Sequence, residues 1–206
     1  GDECMGVVAE VGSSVRGLAI GDTVITRSAG RCLASELCVE REHVVGKPEN
    51  LGDAEAAGIP VAFSTAWFGL RTLANLAPGE RVLIHSAAGG VGLAAIQIAR
   101  SCGARIFATA GTTEKRAYLK NLGVESVFSS KGVEFAEAIR ELTNGDGVDV
   151  VLNSLAGAQM VQSLALLRDF GRFVELGKRD LYDNTPVGLF PFRRNLTYHV
   201  VDMARL

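Results

Sequence analysis

No run of this 206-residue chain stays apolar long enough to cross a bilayer: Gly, Arg or Asp interrupts each one well short of about 18 residues. The basic start and short apolar core of a secretory leader are missing as well. Cysteine is scarce. Cys4, Cys32, Cys38 and Cys102 are too few and too scattered for a disulfide scaffold. A zinc set of Cys32, Cys38 and His43 has no Cys-x-x-Cys pair to anchor it, so no metal is expected. The expectation is reduced thiols packed as small hydrophobes, in a reducing, cytoplasmic compartment. Neither sign of charge dominates: 21 Lys plus Arg stand against 23 Asp plus Glu, a formal net of −2. That balance argues against a broad nucleic-acid-binding face, though not against a local anion site. Repeats and low-complexity tracts are absent too.

What is present is a globular mixture, 48% hydrophobic and 21% charged with 24 glycines, long enough for one or two domains. The first fifty residues read as small, strand-rich and mostly antiparallel. Val7-Val8-Ala9-Glu10-Val11, Thr23-Val24-Ile25 and Leu37-Cys38-Val39 are β-prone runs, punctuated by Gly12, Gly17, Gly21 and Gly30. Pro48 marks the exit. A helix then starts near Asp53, a natural N-cap, and Pro60 suits the start of a second. That second helix is expected to reach about residue 76, with Phe63, Trp67 and Leu70 on one face and Trp67 in the core.

After Pro78-Gly79-Glu80 the pattern changes to strands alternating with helices. Strands are expected over 81–85, 105–109, 126–128, 148–152, 172–176 and 196–201. Helices are expected over 92–102, 113–122, 133–142 and 159–167. This alternation implies parallel pairing and right-handed crossovers, hence an α/β fold with a doubly wound parallel sheet of order 3-2-1-4-5-6. The expected division is 1–52, the β-rich part, and 53–206, the Rossmann domain.

The sharpest local signal is His85-Ser86-Ala87-Ala88-Gly89-Gly90-Val91-Gly92. Ala87, Gly89 and Gly92 keep the G-x-G-x-x-G spacing, with Ala in the first place, directly after a strand and opening a helix. Gly89 would let the backbone approach a pyrophosphate, and Gly92 would let the helix pack close. Uncapped N–H groups around Gly90 and Val91 and the positive helix end would then face the phosphates. At the end of the second strand stand Ala110 and Gly111, where an NAD site places a carboxylate about 20 residues on. Thr112, Thr113, Lys115 and Arg116 follow, donors suited to a 2′-phosphate. Glu114 is a countersignal, and a solvated helix face is the alternative for the two cations. NADPH is the expected cofactor.

These motifs resemble the enoyl reductase domains of modular polyketide synthases and animal-type fatty acid synthases, in the medium-chain dehydrogenase/reductase superfamily. The resemblance runs over essentially the whole chain. Its pieces include Glu55-Ala56-Ala57-Gly58-Ile59-Pro60-Val61 with Thr65-Ala66, the glycine-rich turn, and Asn153-Ser154-Leu155. Glu175-Leu176-Gly177-Lys178-Arg179-Asp180 completes the set. The resemblance implies that residues 1–52 are part of a GroES-like substrate domain and that the Rossmann domain is truncated on its C-terminal side. An excised segment of a longer synthase is expected, one that binds NADPH yet reduces substrate poorly by itself. Where zinc-dependent relatives carry a Gly-His-Glu ligand segment, this chain has Gly1-Asp2-Glu3, which implies a zinc-free reductase.

Lys178 and Asp202 follow the fifth and sixth strands, at the carboxyl ends where such sheets bind ligands. Adjacent strands lie about 4.8 Å apart, so the two side chains are expected to meet. They match the Lys and Asp proposed to act in related enoyl reductases. Lys178 would donate a proton or stabilise an enolate, with Asp202 orienting it. An exposed ion pair, a hold on cofactor phosphate, or proton delivery by water are the alternatives. Asn153 and Ser154 would hold ribose or nicotinamide, or merely cap a helix; Thr65 resembles the superfamily threonine beside the nicotinamide. His85 is read as a satisfied core histidine.

The function expected is reduction of an enoyl thioester on an acyl carrier protein, beside other synthase domains in the same chain. A homodimer pairing through the sixth strand is implied by the superfamily. Two rival readings are a free-standing NADPH quinone or alkenal reductase and a non-catalytic NADPH-binding module.

Overall fold

Residues 1–28 and 30–205 are described by the structure, a computed structural model. The chain divides into two units, Gly1–Ser64 and Thr65–Leu206.

In the first unit β1 (Glu3–Val7), β2 (Thr23–Arg27) and β3 (Val44–Gly46) form an antiparallel sheet in that order, with Met5 opposite Ile25 and Ile25 opposite Val45. Val24, Ile25 and Val44 are its buried residues, and the Thr26 hydroxyl donates to the His43 carbonyl at 2.9 Å. The antiparallel character matches the sequence reading, but two strand positions do not. The first strand ends at Val7 instead of beginning there, and residues 37–39 form no strand. The pairing strand is Val44–Gly46, whose Val44 reaches the core. Period-two runs this short fit several registers, and cross-strand partners choose between them.

Helix α1 (Asp53–Ala57) has Gly52, not Asp53, as its N-cap. Glu55 accepts the Gly52 N–H at 2.9 Å, which satisfies a helix-end donor from within the first turn and leaves Asp53 as the first helical residue. Helix α2 (Ile59–Trp67) follows, and the Val61 N–H donates to Glu3 at 2.7 Å.

In the second unit, α2 does not continue to residue 76. It passes into a π-helical turn, Phe68–Leu73, whose longer repeat rotates the side chains. Leu70 is fully buried while Trp67, expected in the core, is 55% exposed, with the Arg71 guanidinium 5.9 Å from its ring. Gly69 lies against the sheet: a Cβ there would stand 3.1 Å from Val174 Cγ1.

Six parallel strands follow: β4 (Arg81–Ile84), β5 (Arg105–Ala110), β6 (Ser126–Ser129), β7 (Val148–Asn153), β8 (Leu167–Glu175) and β9 (Thr197–Val200). Their spatial order is β6-β5-β4-β7-β8-β9, the doubly wound order expected. Helices α3 (Gly90–Ser101), α4 (Thr113–Asn121), α5 (Glu134–Leu142), α6 (Ala158–Ala165) and the short α7 (Arg179–Tyr182) connect them. Leu83, Phe107, Ile139, Val151 and Phe173 are among the buried residues of the core that joins the sheet to its helices. The strand order changes direction between β4 and β7, which lie side by side and parallel, and this opens the crevice where this class of sheet takes ligands. No described helix is long and apolar enough to span a membrane.

Candidate active site

Beyond Ile84 the chain makes a tight turn into α3. Ser86 sits at φ +50, and the Ala87 N–H donates to the Thr109 carbonyl at 2.9 Å, lashing the turn to β5. The glycine at 92 is obligatory: a Cβ there would stand 2.5 Å from Ala87 Cα and 2.6 Å from its carbonyl oxygen. The N-cap, Gly89, has no side chain to cap with, and both Gly89 and Gly90 are exposed. The first N–H groups of a twelve-residue helix therefore open at the carboxyl edge of β4, and they suit a diphosphate.

His85 lies under this turn. Ser163 gives its hydroxyl proton to the Gln159 carbonyl at 2.7 Å, so His85 Nε2–H donates to Ser163 Oγ, also at 2.7 Å. Nδ1 then accepts the Thr109 hydroxyl at 2.8 Å. Burial pushes the imidazole pKa down to about 3, so the ring is neutral. This is the satisfied core histidine that the sequence suggested.

At the end of β5, Arg116 folds back over the strand. Its guanidinium donates to the Ala110 carbonyl at 3.2 Å and to the Thr113 hydroxyl at 3.0 Å. Lys115, Thr112 and Thr113 are exposed around it, and Thr112 caps α4 by accepting the Lys115 N–H at 3.3 Å. Glu114 is exposed too; its own backbone N–H and the Thr112 hydroxyl hold its carboxyl below the ordinary value, with Arg116 and Lys131 adding to this. Arg116 is thus not a freely solvated helix residue.

Across the reversal point, Ser154 Oγ and Ser86 Oγ lie 2.8 Å apart and join the exits of β7 and β4. Asn153 behaves differently from its neighbour. It is fully buried, its amide donating to the Leu155 carbonyl at 2.7 Å and to Glu175 at 2.6 Å. That side chain is spent inside the protein and cannot also reach a ribose. Neither residue caps α6, whose N-cap is Gly157.

Lys178 and Asp202 meet as the strand geometry predicts, Nζ to Oδ1 at 3.0 Å. The hydrogen bond that Lys178 donates to Asp202 holds the ammonium above its ordinary pKa and Asp202 below its own. Asp202 Oδ2 also receives Arg205 Nε at 3.3 Å. Thr65 is buried on α2 and so is not a surface hydroxyl. Sequence reasoning missed Ser86 and Glu175 as parts of this site. Glu175 belongs to the Glu175–Asp180 motif but carries no role in the sequence reading; its signal is a carboxylate inside an apolar strand pattern, which asks for partners.

Comparison with known proteins follows the same lines. A family described as zinc-binding dehydrogenase matches residues 90–204. The chain is 50% identical over 206 residues to the phthioceranic/hydroxyphthioceranic acid synthase of Mycobacterium tuberculosis (strain ATCC 25618 / H37Rv), covering 100% of this chain and 10% of the synthase. It therefore spans about a tenth of the curated synthases it matches. Among solved structures, CurK enoyl reductase is similar at a TM-score of 0.89 and 43% identity, over 99% of this chain and 60% of that one. The nucleotide-binding subdomain of the enoylreductase domain of PpsC from Mycobacterium tuberculosis is 52% identical at a TM-score of 0.68, over 70% of this chain and 81% of that one.

The family name implies zinc, and the residues here do not fit it. Asp2, in the ligand histidine's place, accepts the Gly30 N–H at 2.7 Å, and Cys32 donates to the Ser28 carbonyl at 3.5 Å. No group of three or more His, Cys, Asp or Glu among the described residues could hold a metal ion. A nicotinamide nucleotide, by contrast, fits the cradle at the exposed, uncapped start of α3 around Gly89 and Gly90, which the close approach of Gly92 to Ala87 holds at the end of β4. With that cradle, the sheet order and these matches, the chain belongs to the zinc-binding dehydrogenase family and, within it, to the medium-chain enoyl reductase domains of polyketide synthases.

Proposed function

We propose that this chain is an NADPH-dependent enoyl reductase domain that saturates the α,β double bond of an acyl thioester carried on an acyl carrier protein. The observation that carries the reading is the Lys178–Asp202 pair at the carboxyl ends of β8 and β9, on the sheet edge where the glycine-rich turn also opens. NADPH, when bound, supplies the hydride that the substrate takes at Cβ. Lys178 supplies positive charge beside the thioester oxygen as electron density moves onto it, and a proton from Nζ or from water then goes to Cα. Asp202 keeps Lys178 an ammonium, which suits charge stabilisation. Gly89, Gly90, Val91 and Gly92 hold the diphosphate through backbone N–H groups. Thr112, Thr113, Lys115 and Arg116 hold the 2′-phosphate, with Arg116 already folded over the strand end. Ser154 and Thr65 lie toward the ribose and nicotinamide, and Asn153 serves through its hold on Glu175.

The partners in this reading are the carrier-bound enoyl thioester and the other domains of a synthase, in the cytoplasm. Residues 1–52 belong to a substrate domain and 53–206 to the NADP-binding domain. Strand β9 forms one edge of the sheet, and pairing with a second copy through it gives a homodimer, which light scattering would detect as twice the 21.7 kDa chain mass.

The deciding measurement is fluorescence titration with NADPH and NADH. A clear preference for NADPH that shrinks in Lys115→Ala and Arg116→Ala supports the assignment; equal affinity for both overturns it. Turnover of a crotonyl thioester against a quinone separates thioester reduction from reduction of diffusible acceptors. Tight NADPH binding with no turnover of either, in a longer chain that carries the flanking segments, would favour a binding module.

A further inference from the structure

Glu175 ends β8 as a 2% exposed carboxylate, three residues before Lys178. Oε1 accepts the Gly177 N–H at 2.6 Å, and Oε2 accepts Asn153 Nδ2–H at 2.6 Å and the Tyr198 hydroxyl at 3.3 Å. Three donors on two oxygens are the complement of a carboxylate, and two of the contacts are as short as charge-assisted bonds become. Burial pushes the carboxyl pKa up against these donors, with Asp180 adding to the rise. A carboxylate kept in the core at this cost calls for a role.

The backbone of the same residue is equally committed. Its carbonyl accepts the Val201 N–H at 2.9 Å, the residue immediately before Asp202. Glu175 therefore bonds the chain directly before both members of the Lys178–Asp202 pair: Gly177 on one side and Val201 on the other. Gly177 leaves room for this, since a Cβ there would stand 2.8 Å from Glu175 Oε1. Asn153 cannot reverse its amide to suit a different partner, because Leu155 takes its Nδ2–H at 2.7 Å and gives an N–H to Oδ1 at 3.2 Å. Tyr198 stacks on Phe173 with centroids 5.0 Å apart, which fixes the third donor.

We propose that Glu175 is a positioning residue, which through Gly177 and Val201 sets the distance at which Lys178 meets Asp202. This rests on the reading of that pair as the reductive centre, but its consequence is measurable without turnover. The Lys178 ammonium faces Asp202, with Tyr182 and Arg205 near it, and Asp202 is what raises its pKa. Moving the Gly177 turn separates the pair and returns Lys178 toward an ordinary lysine.

The test is a pH titration of the lysine ε-carbon NMR signals of the full chain, with the Lys178 signal assigned by Lys178→Arg. Asp202→Asn is the control and is expected to lower the Lys178 midpoint. Glu175→Gln puts an NH2 against either Gly177 N–H or Asn153 Nδ2–H, a donor facing a donor, and is expected to lower the midpoint in the same direction. Should Glu175→Gln fail to fold, Gly177→Ala carries the same test, because its Cβ displaces the turn from the carboxylate side. A Lys178 midpoint unchanged by Glu175→Gln, or by Gly177→Ala in its place, overturns the proposal while Asp202→Asn still moves it. If Asp202→Asn also leaves it unmoved, the pair itself is absent in solution, and the proposal falls with it. A shifted midpoint upholds the positioning role even where a longer chain carrying the flanking segments reduces no thioester, an outcome that removes only the catalytic reading.

Discussion

At the scale of single residues, Arg116 is the most informative side chain. In sequence it could belong to a solvated helix face, and nothing in the local pattern separates that from a phosphate ligand. The structure turns its guanidinium onto the Ala110 carbonyl and the Thr113 hydroxyl, where no carboxylate stands at the strand end. Hydrogen bonds to charged groups contribute about 1.5–3 kcal/mol, so Arg116→Ala is expected to weaken NADPH binding roughly tenfold or more. NADH affinity should change little, and a titration of both nucleotides against the variant measures the difference. An equal loss for both would place Arg116 away from the 2′-phosphate. Lys178 and Asp202 were legible as neighbours, because strand spacing alone brings consecutive strand ends together. The partnership of Asn153 with Glu175 was not: Asn153 at its strand end reads as site-facing, Glu175 has no role in that reading, and only three-dimensional contacts reveal that both point inward.

At the scale of elements, the β4 turn and α3 act as one piece. The Gly92 backbone lies so close to Ala87 that helix and turn leave no space for a methyl group. Gly92→Ala must push α3 away from the strand end. Overpacking of this kind costs about 1–3 kcal/mol. The variant is expected to unfold at a lower temperature and, through the displaced N–H groups, to bind NADPH more weakly. A thermal melt with and without nucleotide tests both effects; an unchanged melt and affinity would mean that the helix tolerates the shift. Glycine spacing after an apolar strand made this element readable. The α2 boundary was unreadable for an equally physical reason: a π turn keeps the same composition as an α-helix while changing its period, and the buried side of this stretch is Thr65, Ala66, Gly69 and Leu70, which leaves Trp67 outside. Strand β8 likewise begins at Leu167, before the expected 172, because Leu167 pairs with Val148 ahead of an irregularity in register.

At the scale of the whole molecule, the sheet order followed from alternation alone, since right-handed crossovers leave few ways to arrange six such strands. What alternation cannot carry is the pH response, which depends on groups far apart in sequence. His85 joins β4, β5 and α6, and its folded pKa of about 3 lies well below the ordinary 6.5. Between these values the unfolded chain binds a proton that the folded chain refuses, so stability falls as pH drops through that window. The slope reaches ~1.4 kcal/mol per pH unit. His199 acts in the same direction, its pKa lowered by burial and by Arg172. Glu175 opposes them, because its raised folded pKa lets the folded chain hold a proton that the unfolded chain releases. Glu80 contributes only in more acid solution. Burial works against its ionisation, but Arg172 at 2.6 Å and the Ala77 N–H lower its pKa below 4.5, so its stabilisation is lost as pH falls through the folded value. Denaturant unfolding between pH 7 and pH 5 therefore reads the histidines against the opposing Glu175, and the His85 share is isolated by comparing the wild type with a variant that lacks the ring. His85→Gln removes the titrating ring and its edge contact with Phe135 at 5.1 Å. That variant should be less stable at pH 7.5 yet show a markedly flatter profile below 6.5, the remaining slope belonging to His199 and, with opposite sign, Glu175. A variant that keeps the full wild-type slope would mean that His85 does not govern the acid sensitivity of the fold.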